Sequence, residues 1–106
     1  MKTKIEVNTS WEEIGKVQNI LQEISKNVES LPIKELNVSF RDSTDLKSHY
    51  CWVELKFEDG SLLHSIYSDL NNLFEWTLYK SKRRAKVITK GEGYLSELFA
   101  QVKNAL

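Results

Sequence analysis

Lys80, Lys82, Arg83, Arg84 and Lys86 fall within the eight positions of YKSKRRAK and make up a third of the chain's fifteen basic residues. Cations at this density attract phosphates and other anions. A run of Lys and Arg at a helix C-terminus is also favoured by the macrodipole alone, with no ligand required. The five residues therefore define a candidate RNA- or anion-binding patch, with a solvated helix end as the alternative. A second group consists of Tyr50, Trp52, Lys56 and Tyr67. Aromatic side chains beside a lysine on an open sheet can stack on bases or anchor a protein partner. They can also simply stabilise a hairpin as cross-strand neighbours, or lie under the C-terminal helix.

The remaining chemistry is sparse. His64 falls between Leu62 and Ile66, which places it on an expected core face as a buried, hydrogen-bonded side chain rather than a base. His49 and Cys51 share one strand side, but no third and fourth ligand follows at zinc-site spacing. Glu12 and Glu13 suit the positive end of a helix better than acid–base work. The four glycines, Gly15, Gly60, Gly91 and Gly93, form no phosphate-binding loop. The expectation is a non-catalytic protein with no metal and no cofactor.

Composition sets the class. A chain of 106 residues with 41% hydrophobic and 28% charged side chains suits one globular domain over residues 1–106. Its formal net charge of zero argues against a strong nonspecific polyanion binder. The halves differ: residues 1–60 carry eight Lys/Arg against eleven Asp/Glu, whereas residues 61–106 carry seven against four. No apolar run reaches the roughly 18–20 residues of a membrane span. The N-terminus lacks the apolar stretch of a signal peptide. A single cysteine, Cys51, cannot form an internal disulfide, which fits a reducing cytoplasm.

The elements that would position these residues follow from periodicity. KIEVN alternates as a short first strand, with Ile5 and Val7 on one face. Ser10 and Glu13 form a capping box for a helix with its apolar stripe at Ile14, Val17, Leu21, Ile24, Val28 and Leu31. Pro32 ends that helix. IKELNVSFR is a strand with Leu36, Val38 and Phe40 inward, followed by a polar loop from Asp42 to Ser48. HYCWVELKFEDGSLLHSIY makes a hairpin. A two-residue Asp59-Gly60 turn would pair Val53 with Ile66, Leu55 with His64 and Phe57 with Leu62. That register puts Trp52 across from Tyr67 on the outer face.

Beyond Tyr67 two periods compete. A helix capped at Ser68 or Asp69 would carry Leu70, Leu73, Phe74, Thr77 and Leu78 as a stripe. A strand would alternate Phe74, Trp76 and Leu78 against Glu75, Thr77 and Tyr79. The cap and five matching positions favour the helix, with the basic cluster at its end near Arg83. AKVITKG then reads as a short strand, and a last helix gathers Leu95, Leu98, Phe99, Val102 and Leu106 on one side. The expected fold is an α+β two-layer sandwich with an antiparallel-rich sheet: strand, helix, three strands, helix, and a strand–helix appendix.

In that order of elements the chain resembles the ribosome hibernation promoting factors, also called ribosome-associated translation inhibitors. Gly60 and His64 fall in the matching hairpin strand, Asp69-Leu70 opens the helix, and Phe74, Glu75, Leu78 and Lys80 follow at the family's spacing. Lys82, Arg83 and Arg84 correspond to its basic turn. The resemblance covers about residues 2–86; Asn72 and Leu73 stand where the family has an alanine pair, and residues 87–106 have no counterpart. It implies binding to the ribosomal decoding channel, with the basic helix end on ribosomal RNA phosphates. The alternative expectation is an immunity protein or antitoxin-like inhibitor that plugs a protein toxin, to which the acidic residues 1–60 and Tyr50, Trp52 and Tyr67 are suited.

Overall fold

A computed structural model describes residues 1–8, 14–44, 48–68, 72–81 and 83–106. The elements run β1 (Lys2–Asn8), α1 (Ile14–Val28), β2 (Ile33–Asp42), β3 (His49–Phe57), β4 (Leu62–Ser68), β5 (Leu73–Tyr79), β6 (Val87–Gly93) and α2 (Leu95–Ala105). The six strands form one sheet in chain order, with β1 parallel to β2 and every other neighbour antiparallel. Both helices contribute to the core on one face of this sheet. The expected α+β two-layer sandwich is therefore the architecture observed. Among the described residues no helix is long and apolar enough to cross a membrane.

The core forms where strand alternation meets helical periodicity. Leu36, Val38 and Phe40 of β2 face inward with Cys51, Val53, Leu55 and Phe57 of β3. Val17, Ile20, Ile24 and Val28 of α1 and Leu95, Leu98, Phe99 and Val102 of α2 cover them. Leu106, placed by its spacing on the same stripe as Val102, is instead exposed beyond the end of α2. Helix α1 stops at Val28, four residues before Pro32, and the Pro32 carbonyl accepts a hydrogen bond from the Glu58 amide at 2.9 Å. The capping box at Ser10 and Glu13, together with Glu12, lies outside the described residues, as do Asp69 and Leu70.

Two expectations are corrected. First, residues 73–79 are strand β5 rather than the middle of a helix. The strand period buries Phe74, Trp76 and Leu78 together, whereas the helical stripe would have left Trp76 off the core. Pairing with both β4 and β6 satisfies the backbone groups a helix would have paired internally. The Trp76 indole also finds a partner, donating Nε1–H to Gln101 Oε1 of α2. Gly91 stands opposite Trp76 in β6, where a Cβ would come within 2.8 Å of the indole.

Second, the β3–β4 hairpin has a three-residue loop. The Phe57 amide bonds the Ser61 carbonyl at 3.0 Å, and the Gly60 amide bonds the Phe57 carbonyl at 3.0 Å. Gly60 itself has φ +90°, the left-handed residue that closes such a loop after a type I turn. The extra residue moves the register by one, so Val53 faces Ser65, Glu54 faces His64 and Leu55 faces Leu63. A one-residue slip exchanges the faces of a strand. Leu63, Ser65 and Tyr67 are therefore buried on the helix side, while His64 and Ile66 point to the other side. The buried Ser65 hydroxyl is satisfied by donating to the Val53 carbonyl at 3.0 Å.

Candidate partner-binding face

With both helices on one side, the other face of the sheet carries no covering layer among the described residues. Its alternating positions are Lys4 and Glu6 of β1, Asn37, Ser39 and Arg41 of β2, and Tyr50, Trp52, Glu54 and Lys56 of β3. His64 and Ile66 of β4 and Glu75 and Thr77 of β5 continue it. Trp52 sits near the middle, opposite Ser39 on one side and Ile66 on the other. Its ring lies 5.6 Å from that of Tyr50 at an interplanar angle of 36°. The Tyr50 hydroxyl accepts a hydrogen bond from Ser48 Oγ at 3.3 Å, which holds the ring at one end of the strand.

Charges around this aromatic pair are matched by opposite charges. Lys4 Nζ approaches Glu6 at 3.1 Å and Arg41 approaches the same carboxylate at 3.7 Å. Lys56 pairs with Glu35 at 3.1 Å. Hydrogen bonding and charge from Lys4 and Lys56 hold the carboxyls of Glu6 and Glu35, respectively, below the ordinary glutamate range. Glu54 is shared: one oxygen lies 3.4 Å from Arg84 Nη2 and 3.7 Å from His64 Nδ1. That His64 nitrogen is shut away from solvent without a hydrogen bond. A shallow groove of about 390 Å³ runs between Lys4, Asn37, Arg41, Trp52 and His64.

The sequence-derived groups fare unequally. Tyr50, Trp52 and Lys56 share the open face as expected, but Tyr67 does not join them. Tyr67 faces Cys51 rather than Trp52, and its ring packs 5.0 Å from Phe74 on the helix side. Its hydroxyl donates to Asn72 Oδ1 at 3.2 Å, and Lys16 Nζ lies 5.4 Å above the ring. His64, expected in the core, belongs to the open face for the same reason of register. His49 lies 2.8 Å from Asp42 across the β2–β3 pair. Among the described residues no group of three His, Cys, Asp or Glu side chains could hold a metal ion. Cys51 is fully buried, and burial pushes its thiol up to about 12, away from any nucleophilic use near neutral pH.

The basic cluster is corrected from a helix end to a hairpin loop. The Lys80 amide bonds the Lys86 carbonyl at 2.8 Å and closes residues 80–86 between β5 and β6. Lys80, Arg83 and Lys86 are exposed there, and Lys82 lies outside the described residues. Arg84 takes φ +56° and turns back over the sheet, where it meets Glu54 and stands 5.9 Å from the Tyr79 ring centre. The loop thus divides: Arg84 belongs to the open face, while Lys80, Arg83 and Lys86 are exposed away from it. The alternation of β3 already sets Glu54 on this face with Tyr50, Trp52 and Lys56, whereas sequence reasoning missed Arg41 and Glu6. The available signal for Arg41 was its two-residue spacing from Ser39 in β2, and for Glu6 its alternation with Lys4 in β1. No family model, curated protein or solved structure matches this chain.

Proposed function

We propose that this protein is a non-catalytic binding protein of the cytoplasm that docks on a protein partner through its open sheet face, as an immunity protein blocks a toxin. The supporting observation is the Tyr50–Trp52 pair on that face, with Trp52 near its middle and nearby cations already matched to carboxylates. Large aromatics with a polar rim are the usual anchors of protein interfaces. A phosphate backbone would instead be met by cations without carboxylate partners. Affinity would come mainly from Trp52 and Tyr50, with Lys56, Arg41 and Glu54 fixing orientation at the rim.

A second reading rests on a different observation, the exposure of Lys80, Arg83 and Lys86 together on one loop. It is the ribosome-binding role implied by the resemblance to hibernation factors, with ribosomal RNA phosphates on that loop. Leu73–Tyr79 of the helix which that resemblance requires form β5 instead, so only the loop cations support it. Retention of host components on the immobilised chain separates the two. One discrete protein held by the wild type and by Lys80→Ala/Arg83→Ala/Lys86→Ala, but lost from Trp52→Ala, supports docking on the sheet. Ribosomes held at low salt, and lost only from the loop variant, would transfer the function to the loop.

A further inference from the structure

The two edges of the sheet are built differently. At β6, pairing with β5 is interrupted by a register shift between Leu78 and Tyr79, and Gly91 and Gly93 interrupt the strand. Bulges and glycines of this kind discourage further pairing at an edge. At β1 the register with β2 runs without a shift from Lys2 to Asn8, and the strand KTKIEVN contains no Gly or Pro. Its outer backbone groups face no neighbouring strand among the described residues. Ile5 and Val7, on the helix side of this edge, are 47% and 56% exposed. A regular edge with exposed apolar side chains is a template for one more strand.

We infer that the added strand is β1 of a second copy of this chain, paired antiparallel about a two-fold axis through Ile5. Such an axis stands perpendicular to the sheet, so it sets like faces together and only residues of equal parity can oppose one another. Centred on Ile5, the register places Lys4 opposite the partner copy's glutamate at position 6, twice by symmetry. It also places Ile5 against Ile5 and Thr3 against Val7 on the helix side, and Lys2 against Asn8 on the open side. Slipping by one step either way puts Lys4 on Lys4 or Glu6 on Glu6, and directly opposed like charges destabilise a pair. Slipping to Lys4 also sets Lys2 opposite Glu6, but of the three registers only the one centred on Ile5 pairs opposite charges without opposing like ones. In each chain Glu6 also meets its own Lys4 at 3.1 Å and Arg41 at 3.7 Å, so the carboxylate would be shared across the axis.

The product is a continuous twelve-stranded sheet with both open faces on the same side. One strand against one strand covers less than the roughly 1,200 Å² of a stable standard interface, so the association depends on concentration. Sedimentation velocity over a wide concentration range tests it. The wild type shifts from monomer to dimer as concentration rises. Lys4→Glu alone sets four carboxylates together, and Glu6→Lys alone sets four ammoniums together. Each weakens self-association by roughly tenfold or more. Mixed in equal amounts, the two variants regain a dimer, because each Glu now faces a Lys. Thermal melts of both variants at the wild-type temperature establish that they are folded. A wild type that stays monomeric throughout, or a mixture that fails to dimerise while the wild type does, overturns the inference.

Discussion

The two faces of this sheet are made from the same strands, residue by residue, yet they do opposite work. On the helix side Phe40, Val53, Leu55 and Leu78 are fully buried beneath α1 and α2. On the open side Trp52, Glu54 and His64 alternate with them and keep contact with water. Apolar burial stabilises the helix side, at roughly 25 cal/mol per Å² removed from water. The open side gains little from its exposed ion pairs, since pairs in water contribute about 0–1 kcal/mol. Under the proposed docking role, Tyr50 and Trp52 serve recognition in addition to packing on the sheet. That contrast is what separates Trp76, locked to Gln101 in the core, from Trp52, partly buried beside Tyr50 on the open face.

Substitutions can break the contrast, and the largest effect belongs to the covered face. Phe40→Ala should lower unfolding free energy by about 3–5 kcal/mol, measured by urea denaturation. Trp52→Ala should lower it by only about 1 kcal/mol, yet weaken partner binding by about 2 kcal/mol or more. If both variants lost stability equally, the open face would be structural. Next in size is Gly91→Val, whose Cβ would enter the Trp76 ring and force it from Gln101. Overpacking of this kind costs about 1–3 kcal/mol, and the Trp76 fluorescence should shift to the red.

How much was legible in the sequence follows the same division. Helix α1 could be read because its stripe holds one period from Val17 to Val28, although the helix stops four residues short of Pro32, the expected terminator. The LFEWTLY run could not, since Phe74 and Leu78 satisfy both a period of four and a period of two. Only the neighbouring strands β4 and β6 decide between them. The hairpin misled for a smaller reason: Asp59-Gly60 suits a two-residue or a three-residue loop, and the difference of one residue moves Tyr67 inward and His64 outward. Tyr50, Trp52 and Lys56 were placed correctly because β3 alternates without interruption. Arg84 joined them only through a left-handed turn that no spacing rule foretells.

Two milder perturbations sharpen the picture. Cys51 should resist alkylation in the folded protein, because burial keeps its thiol protonated and out of reach. Its labelling rate should rise with urea in step with unfolding; rapid labelling without denaturant would mean that the centre of the sheet opens. Acid should act chiefly on the open face and the hairpin loop. Glu6, Glu35 and Asp59 all have folded values below their ordinary 4.5, 4.5 and 3.8, through Lys4, Lys56 and Ser61 respectively. Their contribution is full above those ordinary values and is lost as pH falls through the lowered ones. The urea midpoint should therefore be flat around neutrality and decline below about pH 4, modestly because these groups are exposed.

The docking surface itself is best tested by photo-crosslinking in the host cell. A benzophenone side chain placed at Ser39 or Ile66, the two neighbours of Trp52, samples the open face. The same probe at Arg83 samples the basic loop. The account predicts one discrete, protease-sensitive adduct from Ser39 and Ile66, abolished by Trp52→Ala, and none from Arg83. An RNase-sensitive adduct from Arg83, with nothing from the sheet positions, would contradict it.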